Sequence, residues 1–289
     1  MQKLVLTHVF KFSAKIIKSL SLWLSNLARR VNGLTLLTPE ERKILSRNTI
    51  FKDKHKGQRA FVIVNGPSLK DQDITCLANE ITFVVSGFYK HDVIKKWQPK
   101  YYCILDKTFF NGTESTINFF KQLQESIKES IFFIPLFRGF VANKKNDLLP
   151  PGNTYYIATA GPPNSKIAMN GVVQSFAGVG AFALAQAIYM GCSPIYLLGF
   201  DHDYLANRGV DRHFYSGGTI SGEASVSVPL ADRIPYDEEM RMNLWLWRNY
   251  RSLDKIARKK GLEIFNATHR GYLDVFKRVD FESIKFNEL

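Results

Sequence analysis

Seven apolar runs of strand length recur along this chain, with helix-like segments between most of them, and that alternation decides its architecture. The runs are Ala60 to Val64, Ile81 to Val85, Tyr101 to Leu105, Ile131 to Leu136, Tyr155 to Ala160, Pro194 to Phe200 and Glu263 to Asn266. Between them Asp92 to Trp97, Glu114 to Lys128, Val173 to Met190 and Tyr236 to Lys260 read as helices. Strand and helix in turn predict an α/β fold with a mostly parallel, Rossmann-like sheet flanked by helices, whose ligands gather at the carboxyl ends of the strands. With 289 residues, 45% of them hydrophobic, the chain has enough apolar surface for one large domain over residues 58 to 289.

The first run ends in Asn65-Gly66-Pro67-Ser68, a sharp break in an otherwise buried strand. At such an end Gly66 lets the backbone approach a ligand, and Asn65 offers an amide to ribose or phosphate. Pro67 and Ser68 can open a helix whose free amides attract anions. The alternative is an ordinary strand and turn, because neither the dinucleotide glycine pattern nor the Walker phosphate loop is present. In the stretch from Val173 to Met190 the small residues, Gly180 among them, permit close packing on the sheet or approach to a ligand.

Residues 1 to 31 place Val5, Val9, Phe12, Ile16, Leu20, Trp23 and Leu27 at helical spacing, with Lys11, Lys15 and Lys18 on another face. The lysines cut every apolar run short of a membrane-spanning length and no small-residue cleavage site follows. Residues 1 to 33 are therefore an amphipathic basic helix, suited to a membrane surface or, alternatively, to packing on its own domain or a second subunit of a homo-oligomer. A linking helix is expected within residues 34 to 57, with Thr38 as N-cap, Pro39 in the first turn and Glu41 completing a capping box. The net charge of +13 favours anionic partners. Nucleic acid is not expected among them, since the 22 Phe and 12 Tyr sit mainly in apolar runs and not in basic stripes. Cys76, Cys103 and Cys192 are too scattered for a disulfide framework or a zinc site, which points to a cytoplasmic protein, peripheral on the inner membrane face.

Polar chemistry concentrates after the sixth run, in Asp201-His202-Asp203-Tyr204 and Arg212-His213-Phe214-Tyr215. An Asp-x-Asp there can hold a divalent ion beside a nucleotide, or a lone Asp can orient a loop. His213 or His202 can take a proton from an acceptor hydroxyl, while Tyr204 and Tyr215 can hydrogen-bond a departing phosphate. Residues 207 to 229, polar and rich in Gly and Ser, form a candidate lid. No nucleophile elbow and no metalloprotease helix is present.

In their order along the chain, Asn65-Gly66-Pro67-Ser68-Leu69-Lys70, Ser86-Gly87-Phe88-Tyr89, Asp106 and Ile195-Tyr196-Leu197-Leu198-Gly199-Phe200-Asp201 resemble bacterial sialyltransferases that use CMP-activated sugars. The same order is similar to a broader family with flagellin-glycosylation accessory proteins and hydroxymethylpterin pyrophosphokinases, which Asn266-Ala267-Thr268 and Leu273-Asp274-Val275-Phe276 resemble more closely. The resemblance implies an inverting glycosyltransferase that moves a sialic-acid-like or other ulosonic sugar from a CMP donor to a cell-surface glycan or lipid-linked acceptor. His213 would be its general base, with Asp201 beside it in the catalytic set. Asn65, Gly66, Pro67, Ser68, Ser86, Asp106, Gly180, Tyr204 and Tyr215 would seat the donor. Ser86 and Asp106 stand where the sialyltransferases carry asparagine. No metal or other cofactor is needed in this reading, whereas the pyrophosphokinase alternative uses Mg beside ATP. A third alternative is a non-catalytic nucleotide-binding protein of glycan assembly.

Overall fold

The computed structural model describes residues 37–161, 166–207, 212–215 and 235–286. The basic helix expected in residues 1 to 33 and most of the expected lid lie outside the described residues. At the first described turn Thr38 caps helix α1 (Pro39–Ser46): its Oγ1 accepts from the Glu41 amide at 3.2 Å, and Glu41 Oε2 accepts from the Thr38 amide at 2.7 Å. The capping box expected from sequence is thus formed, a device worth about 1 kcal/mol. Past a 3-10 turn, Asn48 donates to the carbonyls of Tyr156 and Met169, both at 2.7 Å, and so ties this segment to the sheet.

The apolar runs become β1 (Ala60–Ile63), β2 (Ile81–Val85), β3 (Tyr101–Cys103), β4 (Ile131–Pro135), β5 (Thr154–Thr159), β7 (Ile195–Leu198) and β8 (Ile264–Asn266). Two short strands, β6 (Val172–Val173) and β9 (Lys277–Arg278), complete a nine-stranded sheet in the order β6-β5-β4-β3-β2-β1-β7-β8-β9. Every pairing is parallel. Strands buried on both faces explain why the runs are continuously apolar and do not alternate with polar residues. Period-two geometry still sorts them. Ala60, Val62 and Val64 point into one core and Phe61 and Ile63 into the other.

The first core is capped by α4 (Val179–Tyr189) and α5 (Tyr236–Lys259). In α4 the side chains of Ala181, Ala183, Ala185 and Ala187 are all buried, so the small residues serve close packing. The second core takes α2 (Glu114–Ser126) through Phe119, Phe120 and Leu123, and α3 (Leu136–Asn146) through Leu136 and Ala142.

Three expected elements differ. The helix at Asp92 to Trp97 is only a 3-10 turn over Asp92–Lys95. Leu136 does not extend the fourth strand but opens α3, because Pro135 ends the ladder and serves as N-cap. The helix expected from Val173 starts only at Val179, since Val172–Val173 pairs with β5 as an edge strand.

Candidate active site

β1 lies between β2 and β7, so the chain leaves β1 to one side early and returns to its other side late. The carboxyl ends of β1 and β7 are the switch point of the sheet, the place where a parallel α/β fold opens a crevice. A cleft of about 740 Å³ opens there, lined among others by Asn65, Gly66, Ser86, Asp106, Gly180 and His213. Asp201, His202, Tyr204 and Tyr215 also line it. The sequence-expected residues therefore converge, with two exceptions. Pro67 and Ser68 are not in the lining.

Ser68 is fully buried, and its partner is the protein's own carboxylate. The Ser68 hydroxyl donates to Asp201 Oδ2 at 2.8 Å and the Ser68 amide to Asp201 Oδ1 at 3.2 Å. The anion expected at this turn is thus supplied from within, and no amide of Ser68 remains for a ligand phosphate. Asp201 is 2% exposed, its carbonyl accepts from the Tyr272 amide at 2.8 Å, and Arg270 Nε stands 3.8 Å from Oδ1. Burial raises its carboxyl pKa above the usual range, and the two bonds from Ser68 offset only part of that. Gly66 belongs to the same joint. A Cβ there would stand 1.8 Å from Asp201 Oδ2 and 2.1 Å from the Gly199 carbonyl, so the glycine is needed for the approach of the two chain segments.

Asn65 is oriented by its neighbour: Nδ2 donates to the Val85 carbonyl at 3.2 Å. Its Oδ1 is buried in the cleft wall without a protein partner. An unpaired acceptor there suits a hydroxyl or amino donor, and so, of the two ligands expected from sequence, the ribose and not the phosphate. Ser86 stands at φ 42°, and its carbonyl accepts from Tyr102 Oη at 2.7 Å. Asp106 uses Oδ1 on the amide and hydroxyl of Thr108, at 2.9 and 2.8 Å, capping the next turn. Gly180 lets α4 approach the ends of β7 and β1, since a Cβ would meet Phe200 at 2.8 Å and Val64 at 3.1 Å. No side chain caps α4, and Gly178, Val179 and Gly180 at its start line the cleft.

The two histidines differ in kind. His202 sits at φ 48° with its ring against Phe200, Trp247 and Tyr250, and shares a 2.8 Å hydrogen bond with Tyr250 Oη. Burial drives its pKa down to about 4. His213 is carried on a short strap, Arg212 to Tyr215, fixed at each step. The Phe214 amide donates to the Asn65 carbonyl at 2.9 Å and its ring packs on Phe88 and His91. Tyr215 stacks on His213 and lies under Lys90, in room that exists because position 87 is glycine. Arg212 pairs with Glu239 of α5 and stands 4.9 Å over the Tyr204 ring.

Sequence reasoning missed Lys107, Arg138, Met242 and Trp245, which also line the cleft. Arg138 was hidden by reading Leu136 as strand. Met242 and Trp245 carried a signal, since α5 has apolar residues on more faces than one buried stripe requires. Among the described residues no three His, Cys, Asp or Glu side chains assemble as a metal site, and no helix is long and apolar enough to cross a membrane.

No family model and no curated protein matches the chain. Solved structures do. The sialyltransferase CstII from Campylobacter jejuni, in complex with a CMP substrate analogue, is 15% identical over 78% of this chain and 85% of that one, with a TM-score of 0.45. CST-II with trisaccharide acceptor and CMP is 14% identical over 79% and 89%, TM-score 0.45. A CST-II variant with CMP gives 14%, 79% and 89%, TM-score 0.48. Similarity this distant carries no statement about what the cleft of this chain binds.

Proposed function

We propose that the chain is an inverting glycosyltransferase that moves a sialic-acid-like or other ulosonic sugar from a CMP donor to a glycan acceptor. The observation that carries this reading is the strap: Phe214, next to His213, hangs from the backbone of Asn65 and holds His213 in the same switch-point cleft as Ser86, Asp106 and the uncapped end of α4. A nucleotide-type crevice with a histidine held over it is suited to deprotonating a hydroxyl beside a phosphate leaving group. The ordered motifs that resemble CMP-sugar transferases direct the choice of nucleotide.

In this reading the ribose or cytosine supplies the hydrogen-bond donor that Asn65 Oδ1 lacks. His213 takes the proton of the acceptor hydroxyl as its oxygen bonds to the anomeric carbon. The bond from that carbon to the phosphate oxygen breaks, and CMP leaves with the electron pair. Tyr204, Tyr215 and the first amides of α4 hydrogen-bond the departing phosphate, while Lys107 and Arg138 lend positive charge at the cleft mouth. Asp201 acts as a frame, holding Ser68 and the loop, and not on the substrate. No metal has a step in this chemistry. The basic stretch of residues 1 to 31 would keep the enzyme at the cytoplasmic membrane face, and deletion of residues 1 to 33 should then release it to the soluble fraction.

The test is thermal stabilisation by CMP, UDP, GDP and ATP, each with and without EDTA, because a ligand of the folded state raises its melting temperature. Selective stabilisation by CMP that survives EDTA is expected. Selective, EDTA-sensitive stabilisation by ATP would replace this reading with the pyrophosphokinase, and no response to any nucleotide would remove both.

A further inference from the structure

The cleft is not uniform. Its switch-point end is polar, whereas its α5 wall leaves Met242 46% and Trp245 42% exposed, beside the buried Leu246. Large apolar side chains at half exposure inside a concave site await something apolar. Their register ties them to the strap. Glu239, which pairs with Arg212, precedes Met242 by three residues and Trp245 by six, roughly 4.5 and 9 Å along a helix. That span from the neighbour of His213 is the width of a sugar ring.

We propose that Met242 and Trp245 form the platform on which the acceptor's pyranose ring lies, its apolar C–H face on the indole and its hydroxyls turned to the polar wall of Asp203 and Arg212. The inference rests on the glycosyltransferase reading and deepens it, by assigning one wall of the cleft to the acceptor. A sugar fits better than a protein partner, because the patch is small, concave and flanked by hydrogen-bonding side chains. The opposite flank of α5, with Tyr236, Met240 and Leu244, lies outside the cleft lining.

The experiment uses the full chain saturated with CMP and records saturation-transfer NMR with lactose, N-acetyllactosamine and 3′-sialyllactose. Wild type, Trp245→Ala, Met242→Ala and Trp245→Phe are compared, with CMP thermal shifts and sedimentation measured on each. At least one glycan should bind wild type, with the strongest transfer to ring C–H protons on one face. Its Kd should rise about tenfold in Trp245→Ala, less in Met242→Ala, and return close to wild type in Trp245→Phe. CMP stabilisation should be the same in all four. If CMP binds but no glycan does, or Trp245→Ala binds glycan as well as wild type, the platform is wrong and the nucleotide reading stands. Self-association that Trp245→Ala abolishes would also overturn it, by making the patch a contact between copies. Failure of wild type to respond to CMP would count against the enzyme reading itself.

Discussion

Two segments stand at the same end of the sheet, close together in sequence, and the protein treats them in opposite ways. Asp201 and His202 are consumed by their own fold. The Asp201 carboxylate is bound by Ser68, His202 is enclosed by aromatic rings, and Gly66 clears space for both chains to meet. Arg212 to Tyr215 is held by Arg212 on Glu239, Phe214 on Asn65 and Tyr215 beside Gly87, and His213, stacked on Tyr215, lines the cleft. A polar cluster that reads as one site in sequence divides in space into a frame and a presented group.

The frame should break first and hardest. Gly66→Ala drives a methyl group into Asp201 and the Gly199 carbonyl, and should cost more than about 4 kcal/mol or prevent folding, as read by urea denaturation or soluble yield. A stable Gly66→Ala protein would show that this joint yields. On the presented side, His213→Ala should keep its melting temperature and lose about 100- to 10,000-fold in sugar transfer, measured with a CMP-sugar donor. Equal loss in stability would move His213 to the frame.

The comparison sharpens with pH. The folded state holds His202 neutral down to about pH 4, whereas in the unfolded chain it gains a proton below about 6.5. The unfolded state therefore binds more protons in this window, and stability falls as pH drops through it. Because part of the side chain meets water, the loss should be on the order of 2 kcal/mol, discounted from the full shift. His202→Asn, which tolerates the positive φ, should flatten that part of the profile in denaturation at pH 7 and pH 5. Smallest is Gly87→Ala, whose Cβ would reach the Tyr215 hydroxyl at 2.4 Å and its ring at 2.5 Å. A ring at the end of a strap can move, so we expect about a tenfold rise in the KM for donor with little change in folding.

How much of this was legible differs by level. Seven of the nine strands announced themselves, because parallel strands buried on both faces must be apolar without interruption. Val172–Val173 and Lys277–Arg278 did not, being too short to carry a period. The site residues were legible as a set, since turn and polar residues after apolar runs mark strand ends. Their roles were not. Nothing local in Asn65-Gly66-Pro67-Ser68 says that the anion it receives is Asp201, a residue just past β7, the strand that only the sheet order brings alongside. Likewise Phe214 looks like one aromatic among many until its amide is found on Asn65.

That sheet order also sets a timetable. β1 pairs with β2 after a short excursion, Ala60 with Ile81, but with β7 only when Ala60 meets Ile195. The late contact must close a long loop, which slows its formation relative to local pairing. During synthesis one side of β1 therefore stays bare until β7, two thirds of the way along the chain, has been made. The ends of β1, β2 and β3, with Asn65, Ser86 and Asp106, can assemble early, but the crevice closes only in a late event, when β7 docks.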